Sequence, residues 1–288
     1  MSHEIELKLA LGPEGPDALR RHPLLAEQAP TARRLGNTYF DTPEGDLEAA
    51  RMALRLRRID GRTLQTVKTS GEGGGGLSRR GEWEWEVPGP ELDLAGLAGL
   101  PPATLGRGVL SRLRPRFTTD FRRESWQLTH AGARVEVALD EGEILADGRR
   151  VAIRELELEL KAGAPEALWS LAEALAESVP LRPADTSKAA RGGALLRSTW
   201  TLPEGVAPSA WLQRAVVALD ALADTGEAHW REAARDALGG LAEASGGETG
   251  EAARRLAEGL NRTDWLAPPF GLDFLRLARR LPTDRPLG

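Results

Sequence analysis

A short run near the N-terminus, EIELKL, alternates charged and apolar side chains. Glu4, Glu6 and Lys8 share one face of a predicted strand, and the apolar residues between them share the other. Same-face neighbours in a strand lie about 7 Å apart, so two carboxylates repel each other unless a cation lies between them. Carboxylates are typical ligands of hard divalent cations. The run therefore predicts a metal-directed acid pair, and we expect Glu6→Gln to relieve repulsion in the metal-free protein.

Later strands repeat this pattern, with charged residues on one face and apolar residues on the other. The basic members are Arg55, Arg57, Lys68, Arg80 and Arg123. The acidic members are Glu82, Glu84, Glu86, Glu136, Asp140, Glu155, Glu157 and Glu159. A solvated face would explain any single strand. For the whole set, helices can cover the apolar faces, and the charged faces then line a barrel interior that must hold water, metal or a charged ligand.

Two ligand types fit such an interior. The acid-rich strands favour a hard-cation site, and the arginines and lysines favour a polyanion such as phosphate held by guanidinium groups. Further along, DTSKAARGG predicts a helix capped by Asp185 or Thr186. Lys188 and Arg191 share one face of that helix and could close one end of the barrel with positive charge.

Composition narrows the remaining classes. The 288 residues contain no cysteine and four scattered histidines, so a metal site must use oxygen ligands, which suits Mg²⁺, Mn²⁺ or Ca²⁺. A net charge of −5 argues against a general nucleic-acid binder. No apolar run reaches the roughly 20 residues of a membrane span, and no secretory signal is expected. We therefore expect a cytoplasmic protein without nucleic-acid or membrane partners.

The pattern of elements predicts an α+β fold with an eight-stranded antiparallel barrel. Asp60-Gly61 and Asp147-Gly148 predict tight hairpin turns, and the glycine run GEGGGGL, which lacks the Lys-Ser/Thr pair of a phosphate loop, predicts a flexible hairpin. Strands are predicted at 3–10, 35–40, 51–59, 62–69, 80–87, 119–129, 133–140 and 151–161, with a short extended piece at 143–146. Flanking helices are predicted at 14–29, 101–113, 165–178 and 186–198.

The ordered set of motifs resembles the CYTH superfamily, the triphosphate tunnel metalloenzymes. Its signature is matched by EIELKL, and the set covers about residues 3–198. The further motifs are TYFDTP, LRLR, TVKT, TTDFRRE, EVALDEGE, ELELEL and SKAARG. The chain is most similar to bacterial inorganic triphosphatases, some of which carry a C-terminal helical CHAD domain.

The resemblance implies a tunnel that binds triphosphate and divalent metal. It implies metal ligation by Glu4, Glu6, Asp140, Glu155 and Glu157, with Mg²⁺ or Mn²⁺ as cofactor. It implies catalytic roles for Glu4, Glu6, Lys8 and Lys68. It implies substrate binding by Lys8, Arg55, Arg57, Lys68, Arg80, Arg123, Lys188 and Arg191.

The sequence pattern changes from strands to helices in the C-terminal part of the chain. Residues 1–202 form the predicted tunnel domain, 203–208 a linker with Pro203 and Pro208, and 209–288 a small all-α region with helices near 209–224, 227–244, 249–261 and 271–281. This region is shorter and poorer in histidine than a CHAD domain, so we interpret it as a truncated or diverged appendage that packs or dimerises, with polyphosphate binding as the alternative. We expect a chain ending near Thr201 to fold and keep its activity.

The function that follows is metal-dependent hydrolysis of tripolyphosphate to pyrophosphate and phosphate, or of another triphosphate-containing small molecule. Three alternatives stay open: an adenylyl cyclase, a thiamine or nucleoside triphosphatase on the same tunnel, and a non-catalytic polyphosphate-binding module. The two acid clusters disfavour the last, because pure anion binding does not need them. A homodimer is a further hypothesis.

Overall fold

The computed structural model describes residues 2–69 and 71–281; the outermost residues of the predicted domains, 1 and 282–288, lie outside this range. Within these ranges, ten strands form one antiparallel sheet. They are β1 Ser2–Leu11, β2 Thr31–Asp41, β3 Met52–Ile59, β4 Arg62–Thr69, β5 Glu72–Gly74, β6 Leu77–Val87, β7 Arg114–His130, β8 Ala133–Ala146, β9 Arg149–Ala162 and β10 Leu181–Pro183.

Eight of these strands close into a barrel, as predicted. Around the barrel the order is β1-β9-β8-β7-β2-β3-β4-β6, and β6 pairs with β1 to complete the ring. The short strands β5 and β10 extend the sheet beyond the ring, beside β6 and β1. Both were missed in the sequence because a three-residue strand is too short to show alternation.

The predicted hairpin turns are confirmed. Asp60 and Gly61 have φ values of 49° and 77°, and Asp147 and Gly148 have 50° and 72°, as the tight turns that match strand twist require. The glycine run is more ordered than predicted. Part of it is β5, and Gly76, with φ of 97°, lies so close to β1 that a Cβ would come within 2.7 Å of the Lys8 carbonyl oxygen.

Ten helices occur in the described ranges. They are α1 Gly15–Arg20, α2 Pro23–Ala26, α3 Asp46–Ala49, α4 Arg107–Leu110, α5 Glu166–Ala176, α6 Lys188–Arg197, α7 Pro208–Thr225, α8 Ala228–Ser245, α9 Gly247–Gly259 and α10 Pro268–Arg280. None is long and apolar enough to cross a membrane.

Two of the predicted helices are broken. The helix expected over 14–29 divides at His22, whose ψ of 133° is extended because a residue before proline avoids the helical region. The helix expected over 101–113 becomes a 3₁₀ turn, Pro101–Leu105, and the short α4. Gly106, with φ of 87°, separates them.

The helical region α7–α10 packs on the outside of the barrel. Leu7 and Leu9 on the outer face of β1 belong to the same buried apolar cluster as Leu212 of α7 and Phe274 of α10. The division at 203–208 stays a proposal, but the expectation that a chain ending near Thr201 folds unchanged overlooks this contact. Such a truncation would expose the shared apolar surface.

A buried ion pair fixes the same interface. Arg182 of β10 donates to the Asp220 carboxylate of α7 at 2.6 Å and to the Leu219 carbonyl at 2.9 Å. Its side chain is 2% exposed and that of Asp220 5%. A buried charge without its partner is strongly unfavourable, so this pair makes the docking of α7 specific.

We predict that Asp220→Asn lowers the free energy of unfolding by about 3–5 kcal/mol, because it leaves the Arg182 guanidinium buried without a counter-charge. Urea unfolding followed by circular dichroism measures the change. The matched control is Glu248→Gln, which removes an exposed carboxylate 3.5 Å from Arg280 and should change stability by less than about 0.5 kcal/mol. Equal effects of the two substitutions would show that apolar contact alone holds α7.

Candidate functional site

A cavity of about 1330 Å³ runs through the barrel, and each of its eight strands contributes side chains to it. The inward-facing charged residues of the strands and of α6 dominate its lining. They include Glu4, Glu6, Lys8, Arg33, Arg55, Arg57, Lys68, Arg80, Glu82, Glu84, Arg123, Glu136, Glu157, Glu159, Lys161 and Lys188. The apolar faces of most of these strands point outward, as the alternation predicted, but Leu35 of β2 and Phe121 of β7 lie inside the barrel.

Cross-strand register brings distant charged residues together. Lys8 of β1 lies opposite Glu157 of β9. Asp140 of β8 lies between Arg123 of β7 and Glu155 of β9, because it is the register partner of both. Neighbours of this kind stand about 5 Å apart, so residues more than a hundred positions apart in the chain form one charged belt.

The acid pair of β1 is bridged by a cation from the neighbouring strand. Arg80 of β6 donates to Glu4 at 3.2 Å and to Glu6 at 2.6 Å, and Lys68 of β4 donates to Glu4 at 3.0 Å. Glu82 lies 3.1 Å from Lys68 on its other side. The cation that the spacing of Glu4 and Glu6 requires is thus supplied by the protein itself.

These contacts set the ionisation of Glu4. Burial raises the pKa of this carboxyl, but the nearby Lys68 and Arg80 outweigh burial and lower the pKa to about 2. Glu4 is therefore ionised throughout the physiological pH range. It is available as an anionic ligand, although one of its oxygens, Oε2, already accepts from Lys68 and Arg80.

A second acid cluster lies beside β1. Asp140, Glu155 and Glu157 offer oxygens within 4.8 Å of one another. The Lys188 ammonium of α6 sits among them, bonded to Glu155, 2.6 Å from Asp140 and 3.3 Å from Glu157. Arg123 binds Asp140 through both oxygens at 2.7 Å and Glu157 at 2.5 Å. Lys188 and Arg123 are therefore the cations that contact these three carboxylates from the tunnel side, and Arg191 lies 3.5 Å from Glu155.

Three other cations, Lys8, Arg55 and Arg57, are less closely paired with carboxylates. Among the described residues, no carboxylate lies at ion-pair distance from Lys8 or Arg55, and Arg57 has only Glu84, at 3.9 Å. The Arg55 Nε is buried without a hydrogen-bond partner. Burial, together with Arg55 and Arg123, lowers the pKa of Arg57 to about 10. Carboxylates influence these cations only from beyond hydrogen-bonding distance, Glu82 and Glu84 for Arg55 and Glu155 and Glu157 for Lys8.

Residues 2–192 match the CYTH domain. The chain belongs to the CYTH domain family. A curated relative, the inorganic triphosphatase of Haemophilus influenzae, is 36% identical over 197 residues, which are 67% of this chain and 54% of the relative. The chain thus spans about half the length of that protein.

A solved structure of the Hippeastrum protein HpAC1, described as revealing a dominant triphosphatase activity, aligns with a TM-score of 0.51. The two are 23% identical, and the alignment covers 69% of this chain and 98% of that one. At this identity the likeness shows the fold alone, and it agrees with the eight-stranded barrel of the CYTH domain.

One predicted substrate-binding residue lies outside the tunnel of this CYTH domain. Arg191 is not among the described residues that line the cavity. Its guanidinium donates to Asp224 of α7 at 2.6 and 3.0 Å and to the Ala152 carbonyl at 2.5 Å. The prediction treated Lys188 and Arg191 alike, but of these two only Lys188 lines the tunnel, because three residues along a helix turn a side chain away from its neighbour by about 60°.

The predicted metal ligands also differ in whether their carboxylates can be reached from the tunnel. Glu4, Glu6 and Glu157 line the cavity, whereas Asp140 and Glu155 are 0% and 3% exposed. The latter two lie behind Lys188. Access to them from the tunnel therefore depends on the position of this lysine.

Some lining residues were missed in the sequence. Lys161 continues the alternation of Glu155 to Glu159 and binds Glu159 at 2.6 Å, so period two could have identified it. Asn37 and Tyr39 follow Arg33 on the inner face of β2. Asn37 accepts from Arg57 at 3.0 Å, and the Tyr39 hydroxyl accepts from Arg55 at 3.3 Å. Both residues lie within the predicted strand 35–40, but neither carries a charge, so the pattern of charged residues did not mark them.

The donor set fits a hard divalent cation. Every candidate ligand is a carboxylate oxygen, which Mg²⁺ and Mn²⁺ accept, and three such ligands converge within 4.8 Å. At present these carboxylates bind Lys188 and Arg123. A cation bound here would therefore compete with protein ammonium and guanidinium groups.

The contacts of Glu6 reverse the expectation that Glu6→Gln relieves repulsion. Glu6 is 2% exposed and accepts from Arg80 at 2.6 Å. We predict that Glu6→Gln lowers the free energy of unfolding of the protein in EDTA by about 1–3 kcal/mol, since a charged hydrogen bond becomes a neutral one. Thermal and urea unfolding measure it. A stability equal to or above that of wild type would mean that repulsion between Glu4 and Glu6 dominates after all.

Proposed function

We propose that this protein is a divalent-metal-dependent inorganic triphosphatase that hydrolyses tripolyphosphate to pyrophosphate and phosphate inside the tunnel. The Haemophilus influenzae relative carries the name of this activity. The chain spans only about half of that relative, so the activity is inferred from the tunnel itself together with the family.

The weak pairing of Lys8, Arg55 and Arg57 with the carboxylates of the tunnel is the observation that carries the proposal. All three line the cavity, and their weak pairing leaves hydrogen-bond donors free for an anion. Guanidinium groups bind phosphate oxygens with two parallel hydrogen bonds. A chain of phosphates would supply the missing negative charge, which explains why cations are retained inside a barrel at all.

The acids are proposed to hold the metal. Glu4 and Glu6 of β1 and Glu157 of the neighbouring β9 line the cavity, and Asp140 and Glu155 lie behind Lys188. Mg²⁺ or Mn²⁺ bound there would neutralise phosphoryl oxygens and polarise the phosphoanhydride. Pure anion binding would not need these carboxylates, so the acid clusters favour an enzyme over a polyphosphate-binding module.

The protein's own side chains would then position and stabilise the substrate. Lys8 and Lys68 approach the tunnel axis from β1 and β4, and Arg55, Arg57, Arg80 and Arg123 surround it from other strands. Phosphoryl transfer to water depends chiefly on positioning and charge neutralisation. Water attacks the terminal phosphorus, the bridging P–O bond breaks, and pyrophosphate leaves as the charge on its oxygen is neutralised by these cations.

A second candidate is hydrolysis of thiamine or nucleoside triphosphates. The cavity has an aromatic part, in which Tyr39 and Phe117 stack with ring centroids 4.6 Å apart. An aromatic surface next to a phosphate site is suited to an aromatic ring on the substrate. Cyclisation of ATP in the same tunnel is the related alternative. Cytoplasmic location and homodimer formation stay predictions.

We predict that the purified protein releases phosphate from tripolyphosphate with a higher kcat/KM than from ATP or thiamine triphosphate, and only with Mg²⁺ or Mn²⁺. A phosphate-release panel over these substrates, pyrophosphate and long polyphosphate tests it. Equal or faster turnover of ATP would assign the substrate to the second candidate. Activity in excess EDTA would overturn the metal requirement.

Arg57→Gln separates substrate binding from folding. We predict a rise in KM for tripolyphosphate of roughly tenfold or more, because a charged hydrogen bond contributes about 1.5–3 kcal/mol. The unliganded protein should be as stable as wild type or more so, since Arg57 is repelled by Arg55 and Arg123.

Arg34→Gln is the matched control. Arg34 lies on β2, the strand next to that of Arg57, but outside the tunnel, where it binds Asp120 through two hydrogen bonds at 2.9 and 3.0 Å and is 81% exposed. It should leave KM unchanged. An unchanged KM in Arg57→Gln would remove this arginine from the substrate site.

A further inference from the structure

Helix α7 of the C-terminal region reaches the wall of the tunnel. Gln213 and Val217 line the cavity. One and two turns further on, Asp220 and Asp224 contact the segment that carries α6. The helical region is thus in direct contact with the part of the tunnel that holds Lys188.

Asp220 fixes the entry into α6. One of its oxygens accepts from the backbone N–H groups of Asp185 and Thr186, at 3.2 and 3.0 Å, and the other accepts from Arg182 at 2.6 Å. Because backbone groups rather than flexible side chains make these bonds, the start of α6 is held at a defined distance from α7.

Asp224 fixes the helix itself. Its two oxygens accept from the Nη2 and Nε of Arg191, at 2.6 and 3.0 Å, and its side chain is 4% exposed. A bidentate pair of this kind constrains orientation as well as distance. Arg191 therefore links the tunnel-closing helix to α7.

The pair continues into the tunnel as a row of alternating charges. Arg191 lies 3.5 Å from Glu155, Glu155 binds Lys188, and Lys188 lies 3.3 Å from Glu157. Glu157 faces the cavity and binds Arg123. A change at Asp224 alters the charge that Glu155 experiences, and through it the position of Lys188.

We propose that Asp224 is a positioning residue for the tunnel: it holds Arg191 and α6 so that Lys188 stays among Asp140, Glu155 and Glu157. This inference rests on the proposed function, because it identifies what controls the cation at the same site. It gives the helical region a direct role in the tunnel. Without the Asp224 charge, Arg191 would turn towards Glu155 and compete there with Lys188.

The test compares Asp224→Asn and Asp224→Glu with wild type in the full-length protein. Calorimetry with tripolyphosphate in EDTA measures affinity without turnover, and amide hydrogen exchange reports protection of α6. We expect Asp224→Asn to weaken tripolyphosphate binding roughly fivefold or more, within the usual range for coupled sites, and to lower protection in α6. Asp224→Glu keeps the charge and should recover a substantial part of both.

Asp264→Asn is the matched control, because Asp264 binds Arg262 in the same bidentate manner, at 3.2 Å for both contacts, on the exposed surface of the helical region. It should change neither readout. In Asp224→Asn, strands β7 to β9 should keep their protection, which separates a local change in α6 from general destabilisation.

Unchanged affinity together with unchanged α6 protection in Asp224→Asn would overturn the proposal. So would a loss of α6 protection without any change in affinity, or a loss of protection across the whole barrel. Wild-type protein that neither binds nor hydrolyses tripolyphosphate would instead refute the proposed function, and the exchange of α6 would then decide by itself whether Asp224 positions this helix.

Discussion

Charge neutralisation inside a closed barrel is the constraint on which the rest of the structure depends. An ionised group removed from water needs a partner of opposite charge, and the tunnel contains more than a dozen of them. Arg80 between Glu4 and Glu6, and Lys188 among Asp140, Glu155 and Glu157, show how the protein meets this requirement without a ligand. Three cations, Lys8, Arg55 and Arg57, remain weakly paired with carboxylates. The phosphates of a bound substrate would supply their counter-charge.

The fold could be predicted in large part because alternation is a strong local signal. Most barrel strands have an apolar outer face and a charged inner face, so period two identified them, and Asp60-Gly61 and Asp147-Gly148 marked two of their turns. The strands β2 and β7 depart from this pattern, with Arg34 and Asp120 outside and Leu35 and Phe121 inside. Boundaries were less accurate. The start of β2 was placed at residue 35 instead of Thr31, because its exposed first residues show no apolar alternation.

Most of the charges that line the tunnel could be predicted, although Arg191 lies outside it and Lys161 was missed, but which of them pair could not. Pairing depends on register between strands far apart in sequence, as for Lys68 with Glu4, and no local pattern specifies it. The spacing of Glu4 and Glu6 indicated that a cation must lie between them, yet left open whether it would be a metal or a side chain. In the structure this cation is Arg80, and the attraction of Glu4 and Glu6 to its guanidinium offsets the repulsion between the two carboxylates.

In the helical region, too, the sequence indicates which charged residues need a partner but not which residues they pair with. Asp220 and Asp224 lie four residues apart in a helix rich in alanine, valine and leucine, so both fall on one face, and buried acids on such a face require partners. The segment VVALDALADT shows this spacing of two acids among apolar residues. The partners, Arg182 and Arg191, belong to the barrel side of the chain, so the linker between them separates two parts of the sequence without making them independent. A helical appendage that supplies counter-charges to a tunnel constrains the tunnel's geometry, because neither part can move without separating buried charges.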